Sequence, residues 1–279
     1  MGAVVYLAIV FGVMLWRGIE IEPEFVAFAL LVLAIAMGRG RQFVFDFLPF
    51  LLLFFAYEVM RGFAGSTGFA PHDIGRLEQW VFRGNLPTVW LQRHLYNPAR
   101  IGLLDWITIT FYFLHFVLPL CVGFYFWTRD REHFWRYVAA LLFMSFIAFL
   151  TFLFFPSAPP WYQYPHLVHK ISNETVQKWG IGYTVVIYQH LNPNQFAAFP
   201  SLHAAYPTLA MVYAFPRYPK FAAFLALWSL CVFFSVVYLG EHYVVDILLA
   251  LVYVAVATIT VEWVWRRAGG RIRPTKSSA

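Results

Sequence analysis

Residues 242–265 read HYVVDILLALVYVAVATITVEWVW, an apolar run with His242 and Asp246 at its start. A helix that crosses a bilayer needs about 20 mostly apolar residues, which this run supplies. Because every backbone polar group inside lipid must be paired within its own segment, the run is predicted to be helical. The stretch therefore predicts a membrane helix that carries two ionisable side chains at one end.

The rest of the 279-residue chain has the same character. Its residues are 61% hydrophobic and 12% charged, whereas about a quarter of the residues in a soluble domain are charged. We therefore predict an all-α polytopic membrane protein. Apolar runs predict segments at 2–16, 24–38, 44–61, 103–127, 134–155, 200–215, 220–239 and 242–265. The last six are expected to form a core that follows a short N-terminal helical pair.

Basic residues in the short loops and the tail predict the orientation of the chain. With eight membrane segments, these basic residues all lie on one side of the membrane: Arg39, Arg41, Arg129, Arg131, Arg136, Arg217, Lys220 and the tail RRAGGRIRPTK at 266–276. The positive-inside rule makes that side cytoplasmic. We expect a multi-pass protein of the cell membrane whose segments 200–215 and 242–265 begin on the non-cytoplasmic side.

The chain is expected to divide into three parts. These are N-terminal membrane helices at 1–43, a catalytic transmembrane core at 44–265 and a basic cytoplasmic tail at 266–279. Between the third and fourth segments, Ile74, Leu77 and Val81 have the spacing of a helix that lies on the membrane interface.

Charge and cysteine content argue against two other kinds of site. The formal net charge is +6, but the basic residues are explained by membrane orientation, so no nucleic-acid partner is expected. Cys121 and Cys231 both lie inside apolar runs. Neither a disulfide framework nor a metal site is predicted from them.

His242 and Asp246 are four residues apart and share one face of the predicted helix. A carboxylate that bonds one imidazole nitrogen fixes the tautomer and leaves the other nitrogen as a nucleophile. The alternative is a polar contact between two helices in the bilayer. Ionisable side chains within membrane segments usually serve a function, which favours the nucleophile.

The stretch AFPSLHAAYP at 198–207 begins another predicted helix. Pro200 suits the first helical turn, where its missing N–H leaves no bond unmade. The Ser201 hydroxyl lies beside free N–H groups of that turn, which together form an anion site. His203 is positioned to donate a proton to a group bound there. The alternative is a capped helix start with an interfacial histidine.

Taken together, the two motifs resemble the type 2 phosphatidic acid phosphatase superfamily of membrane phosphatases and phosphotransferases. Its second signature is Pro-Ser-x-His, and its third signature ends in His-x-x-x-Asp. The resemblance implies that His242 attacks phosphorus to form a phosphohistidine. It further implies that His203 is the general acid for the leaving alcohol and that Asp246 orients the nucleophile.

Two features of the superfamily are absent from this sequence. No Lys-x6-Arg-Pro signature precedes the serine-histidine motif, and FFPSAPPWY at 154–162 stands in its place. Ser235 is followed by Val236 where the third signature usually begins Ser-Arg. A phosphomonoester carries close to two negative charges and a diester only one. A site short of these cations therefore fits a diester donor better.

The chain is most similar to the inositol phosphorylceramide synthase-like branch, including its bacterial members. The similarity spans residues 44–265 and is carried by the stretches at 46–62, 155–161, 197–207 and 238–246. It implies transfer of a phospho-head-group, phosphoinositol, from a phospholipid donor to a lipid hydroxyl without metal or cofactor. One alternative is a lipid phosphate or polyprenyl pyrophosphate phosphatase that uses the same residues. Another is a transporter with a His/Asp relay, which needs those residues near the midplane.

Two rings and one cation within the predicted helices are further candidates for substrate binding. His115 lies about 16 Å from the outer end of its helix, by the helical rise, so it contributes only if the cavity dips into the bilayer. Tyr112, one turn outward, is an equivalent candidate. Arg61 either contacts the donor phosphate or anchors its helix end at the interface.

Four more candidates lie in the outer loops. Glu241 adjoins the nucleophile and could accept hydrogen bonds from a polyol head group, or it is a solvated carboxylate at a helix start. Gly240 belongs to the same short turn. Ser157 and Trp161 are expected in a rigid, proline-rich turn at the rim of the site.

Overall fold

The computed structural model describes residues 23–64, 68–115, 117–178 and 194–269, and these ranges are helical with no β-strand. The predicted segment 2–16 and the tail from residue 270 lie outside the described residues. The described helices are α1 (Pro23–Ala36), α2 (Gly40–Ala64), α3 (Gly75–Val81), α4 (Pro87–Leu95), α5 (Leu103–Phe113), α6 (Val117–Arg129), α7 (Arg131–Phe154), α8 (Pro160–Gln163), α9 (Ile171–Lys178), α10 (Leu202–Ala214), α11 (Pro219–Tyr238) and α12 (Val244–Arg267).

Within the described ranges, four helices are long and apolar enough to cross a membrane, and a bent pair makes a fifth candidate. The four are α2, α7, α11 and α12, and the bent pair is α5 with α6. This arrangement confirms the predicted all-α polytopic membrane fold.

The predicted segment 103–127 is not one continuous helix. It is broken between Phe113 and Val117 into α5 and α6, whose axes differ by 56°. A continuous helix would place Pro119 in its interior, where the missing N–H and the ring both disrupt helical bonding. Starting a new helix at Val117 puts Pro119 in a first turn, where neither cost applies. The predicted segment is therefore present as a bent pair, and the count of apolar residues did not reveal the bend.

Helix α10 occupies the middle of the bundle and packs against α6, α7, α11 and α12. Its contact face carries small residues, since Ala204, Ala205, Ala210 and Ala214 are all buried. Small side chains let neighbouring helices approach closely in a membrane protein. The central position of α10 therefore brings its first turn close to the first turn of α12.

The basic residues gather at the end of the bundle away from the first turn of α10. Arg131 donates to both oxygens of Asp46 at 2.7 and 2.5 Å, and the Trp127 indole donates to the same carboxylate at 2.8 Å. The Arg39 guanidinium lies 4.0 Å from the centre of the Trp127 ring. The C-terminal end of α10 lies in the same region, since the Tyr213 carbonyl is 2.9 Å from Nε2 of His133, so these cations lie toward the end of α10 opposite His203.

The stretch predicted to lie on the interface forms the short helix α3. Ile74, just before it, is buried, whereas Leu77, Trp80 and Val81 are exposed. Apolar side chains on an exposed helical face are typical of a helix that lies in the headgroup region of a bilayer.

Candidate active site

The first turns of α10 and α12 are joined directly. The backbone N–H of Ser201 donates to the carbonyl of Asp246 at 3.2 Å. The Ser201 hydroxyl is buried and accepts a bond from the Ala204 N–H at 3.4 Å, so it caps α10. Serine is favoured at this position because its oxygen satisfies an N–H that has no helical partner. Ser201 therefore fixes the helix that carries His203.

His203, His242 and Asp246 form one continuous chain of contacts. Nδ1 of His203 lies 3.1 Å from Nε2 of His242. On the other side of the His242 ring, Nδ1 lies 3.2 Å from Oδ2 of Asp246. Asp246 is completely buried and His242 is 5% exposed, so water screens these contacts little. The structure thus brings together the three residues that the two motifs single out.

The surroundings of His242 determine which of its nitrogens carries the proton. Nδ1 faces two acceptors, the carbonyl of Ala198 at 2.9 Å and the carboxylate of Asp246 at 3.2 Å. A ring nitrogen between two acceptors must be the N–H donor. In neutral imidazole the other nitrogen then bears the lone pair. Nε2 of His242 is therefore the nucleophilic atom, and it accepts a hydrogen bond from Nδ1 of His203.

Two rings from the bent segment hold the side chain of His203. The Tyr112 ring stacks on it with centroids 4.5 Å apart and planes inclined by 14°. The His115 ring centroid lies 3.9 Å from that of His203. The bend after α5 allows both contacts, because it turns the chain at Leu114 and His115 beside the first turn of α10. The structure thus places both predicted rings against His203.

Arg61 is close enough for its positive charge to act on both His115 and His203. The end of its helix is fixed by a bond from the Asn194 side chain to the Arg61 carbonyl at 3.2 Å. Asn194 in turn accepts from the N–H of Phe196 at 3.0 Å, in the loop that leads to α10. Arg61 thus brings positive charge to a region that lacks the usual signature cations.

Ser157 holds together the loop segments that lead to His203. Its hydroxyl accepts a hydrogen bond from the N–H of Phe199 at 2.8 Å, and its own N–H donates to Phe196 at 2.8 Å. Isolated backbone bridges join it to His72 and to Ala197. The fully buried side chain is therefore engaged with backbone. Its contacts position the stretch before His203.

Glu241 and Trp161 contact each other beside the nucleophile. The Trp161 indole donates to Glu241 at 3.2 Å, and the Ser172 hydroxyl donates to the other carboxylate oxygen. Glu241 is 8% exposed, so it is not the solvated carboxylate that one interpretation expected. The Lys170 ammonium lies 4.0 Å from the centre of the Trp161 ring.

Gly240 has a conformational role in the turn that precedes His242. Its φ is +82°, a left-handed conformation that favours glycine. A Cβ atom at this position would lie 2.7 Å from the carbonyl oxygen of His169. The turn therefore requires glycine on two independent grounds.

Glu78 supports the site and was not singled out from the sequence. Its carboxylate accepts hydrogen bonds from the N–H groups of Val244 and Val245 at 3.1 and 3.0 Å. Backbone N–H groups in the first turn of a helix have no intrahelical partner, and these two lie two and three residues after His242. Burial raises the pKa of Glu78. An acidic residue on a predicted interfacial helix gave no signal of a partner 166 positions away.

No group of three or more His, Cys, Asp or Glu side chains among the described residues could hold a metal ion. The polar groups of the site include the paired histidines His203 and His242, the carboxylate of Asp246 and the nearby guanidinium of Arg61. This set can supply a nucleophile, a proton donor and charge stabilisation. These are the components of phosphoryl transfer through a covalent histidine intermediate.

Comparison with known proteins agrees with this geometry. The family model described as the PAP2 superfamily matches residues 73–261, a range that contains His203, His242 and Asp246. The chain therefore belongs to the type 2 phosphatidic acid phosphatase superfamily.

Within the superfamily, the chain is similar to the phosphoinositol dihydroceramide synthase of Bacteroides thetaiotaomicron. The two are 31% identical over 170 residues, which cover 55% of this chain and 51% of the relative. The chain thus spans about half the length of the curated relative that it matches. No solved structure gives a significant match.

Proposed function

We propose that this protein transfers a phosphorylated head group from a phospholipid donor to the hydroxyl of a second lipid, through a phosphohistidine on His242. The observation that carries the proposal is the contact chain from Asp246 through His242 to His203, at 3.2 and 3.1 Å. Membership of the superfamily supports the same chemistry.

In the first step, Nε2 of His242 attacks phosphorus and forms a P–N bond. The P–O bond to the lipid alcohol breaks, and the leaving oxygen takes a proton from His203, which acts as the imidazolium and becomes neutral imidazole. Asp246 stabilises the ring of His242 as it becomes cationic, since the Nδ1 proton stays directed at the carboxylate. A positioned general acid contributes typically about 10²–10⁴-fold to such a step.

In the second step, the hydroxyl of the acceptor lipid attacks the phosphohistidine. Its proton passes to His203, the P–N bond breaks, and the electron pair returns to Nε2 of His242. Both histidines then regain their resting protonation states. A hydrolase would differ only in using water as the acceptor.

The donor that the charges favour is a phosphodiester. The Arg61 charge acts on His203 and His115, and one guanidinium balances the single charge of a diester. The similarity to a phosphoinositol dihydroceramide synthase favours phosphatidylinositol as donor and a ceramide-type lipid as acceptor. We place the reaction at the non-cytoplasmic leaflet, since the basic residues lie at the opposite end of the bundle.

Reconstitution in liposomes tests this proposal. Liposomes would contain phosphatidylinositol as donor and ceramide as acceptor, and products would be followed by mass spectrometry. The proposal predicts a new inositol-phosphate lipid and released diacylglycerol, both absent with His242→Ala. Release of free phosphate from a monoester lipid, with no lipid product, would instead identify a phosphatase.

A further inference from the structure

A cavity lies at the basic end of the bundle, away from the paired histidines. Its volume is about 380 Å³, and it is bordered by α7, the end of α10, the following turn and α12. Ligand sites commonly have volumes of about 300–1,000 Å³. Tyr213 borders the cavity near one end of α10, and His203 lies near the other end. The cavity is therefore distinct from the proposed active site.

Three arginines line this cavity, which are Arg136, Arg217 and Arg266. Arg136 uses Nε and Nη2 to bind Glu262, and Arg217 uses Nη1 to bind Asp130. Each guanidinium has five N–H donors, so both keep donors beyond these contacts. Within the described part of the chain, no carboxylate pairs with Arg266. The cavity therefore has an excess of positive charge and of hydrogen-bond donors.

Two buried hydroxyls in the cavity wall lack a hydrogen-bond partner among the described residues. They are the phenol oxygen of Tyr213 and Oγ1 of Thr258. Tyr213 is 4% exposed. Buried polar atoms in folded proteins nearly always have a partner, so each unpaired one requires an explanation. Both residues border the cavity, so a small shift of either side chain would let its hydroxyl donate to an anion bound there.

We propose that this cavity binds the phosphate of an anionic phospholipid head group. Phosphate oxygens accept bonds from guanidinium and hydroxyl groups together. Thr258 and Arg266 are about 12 Å apart along α12 by the helical rise, so the donors extend from the helix end into the membrane span. Ile259 and Trp263 of α12 are exposed and face the surroundings where acyl chains would lie. Basic pockets between membrane helices bind anionic head groups in this way.

The test measures lipid binding by purified full-length protein in a neutral detergent. The His242→Gln variant serves as background, so that no donor is turned over. The ligands are short-chain phosphatidylglycerol, short-chain phosphatidylcholine and inorganic phosphate, and the readouts are dissociation constants and thermal stabilisation. We expect phosphatidylglycerol to bind and stabilise the protein, and the other two ligands to have little effect.

Cavity variants separate this site from the proposed donor site. Tyr213→Phe, Thr258→Val and Arg266→Gln should each weaken phosphatidylglycerol binding about tenfold, because each removes donors to a charged group. Arg267→Gln is the matched control, since Arg267 stacks over Trp263 at 4.1 Å and does not line the cavity. Since neither hydroxyl has a described partner, Tyr213→Phe and Thr258→Val should leave the ligand-free melting temperature unchanged or higher.

Three results would overturn the proposal. Equal affinity in the cavity variants and the control would mean that the lipid binds elsewhere. Equal binding of phosphatidylcholine would remove the requirement for negative charge. Saturable binding of inorganic phosphate without binding of phosphatidylglycerol would assign the cavity to a free anion. None of these outcomes depends on whether the proposed transferase reaction is correct.

Discussion

His203 and His242 are separated by 39 positions in the chain, yet Nδ1 of His203 lies 3.1 Å from Nε2 of His242. The contact joins the first turn of α10 to the residue two positions before α12. Because Nδ1 of His242 is held by two acceptors, the shared proton belongs to His203. In the proposed reaction, this contact opens when phosphorus takes the place of the proton at Nε2 of His242, and His203 then delivers its proton to the leaving oxygen.

This assignment predicts how His203→Gln depends on the leaving group. With a natural phospholipid donor, we expect kcat to fall about 10²–10⁴-fold, because the general acid is lost. With a nitrophenyl phosphodiester donor, the loss should be at least about tenfold smaller, because nitrophenolate leaves without protonation. Steady-state kinetics on both donors measure the difference. Equal losses on the two donors would contradict a general-acid role for His203.

Arg61 is predicted to act on donor binding. Arg61→Gln should raise KM for a phosphodiester lipid about tenfold or more, since a charge-assisted hydrogen bond to phosphate is lost. Arg61→Lys should recover part of the affinity because it restores the charge without the planar fork. The kinetic constants would be compared with melting temperatures. A lower melting temperature with unchanged KM would show that Arg61 only anchors the end of α2.

Glu78 is predicted to stabilise the start of α12. Glu78→Ala leaves the N–H groups of Val244 and Val245, of which the second is buried, without their acceptor, which should cost about 1–3 kcal/mol. Glu78→Gln retains one acceptor oxygen and should cost less. Melting temperatures in detergent would rank the variants. If the melting temperature of Glu78→Ala equalled that of the wild type, the carboxylate would have no stabilising role.

The contribution of Glu78 to the stability of the fold is predicted to decrease as the pH rises. Burial raises the pKa of Glu78 above its ordinary value of 4.5, and the charge of Asp246 also raises it, against the hydrogen bonds from Val245 and Val244. A carboxyl with a higher pKa in the folded state contributes most stability when protonated. The stability of the wild type relative to Glu78→Gln should therefore be greatest below pH 4.5. It should fall as the pH rises through the folded-state pKa.

Gly240→Ala is predicted to destabilise the turn that carries His242. The substitution forces an unfavourable conformation, at about 1 kcal/mol or more, and brings Cβ within 2.7 Å of the His169 carbonyl oxygen. Gly84→Ala is the matched control, since Gly84 has φ of +87° and a Cβ added there would have no atom within 4 Å. Melting temperatures should fall further for Gly240→Ala. Equal decreases would show that the turn accommodates the methyl group.

The sequence was sufficient to predict most of the membrane segments and the grouping of the two motifs. The length of an apolar run and the four-residue spacing of His242 and Asp246 involve residues that are close in the sequence, so one sequence is enough to recognise them. The position of His115 was harder, because it depends on the break before Pro119 and the 56° bend there. The role of Glu78 could not be predicted, since its partners are distant in the sequence. They are also backbone N–H groups, which nearly every residue has, so no residue type identifies them.

A covalent bond between phosphorus and Nε2 of His242 is the central step of the proposed reaction. Rapid mixing with phosphatidylinositol in the absence of an acceptor lipid, followed by an alkaline quench and peptide mass spectrometry, measures it directly. We predict an inositol-phosphate adduct on the peptide that contains His242, lost in His242→Gln and discharged when a lipid acceptor is added. Product formation without this adduct, or an adduct that persists in His242→Gln, would contradict the proposed mechanism.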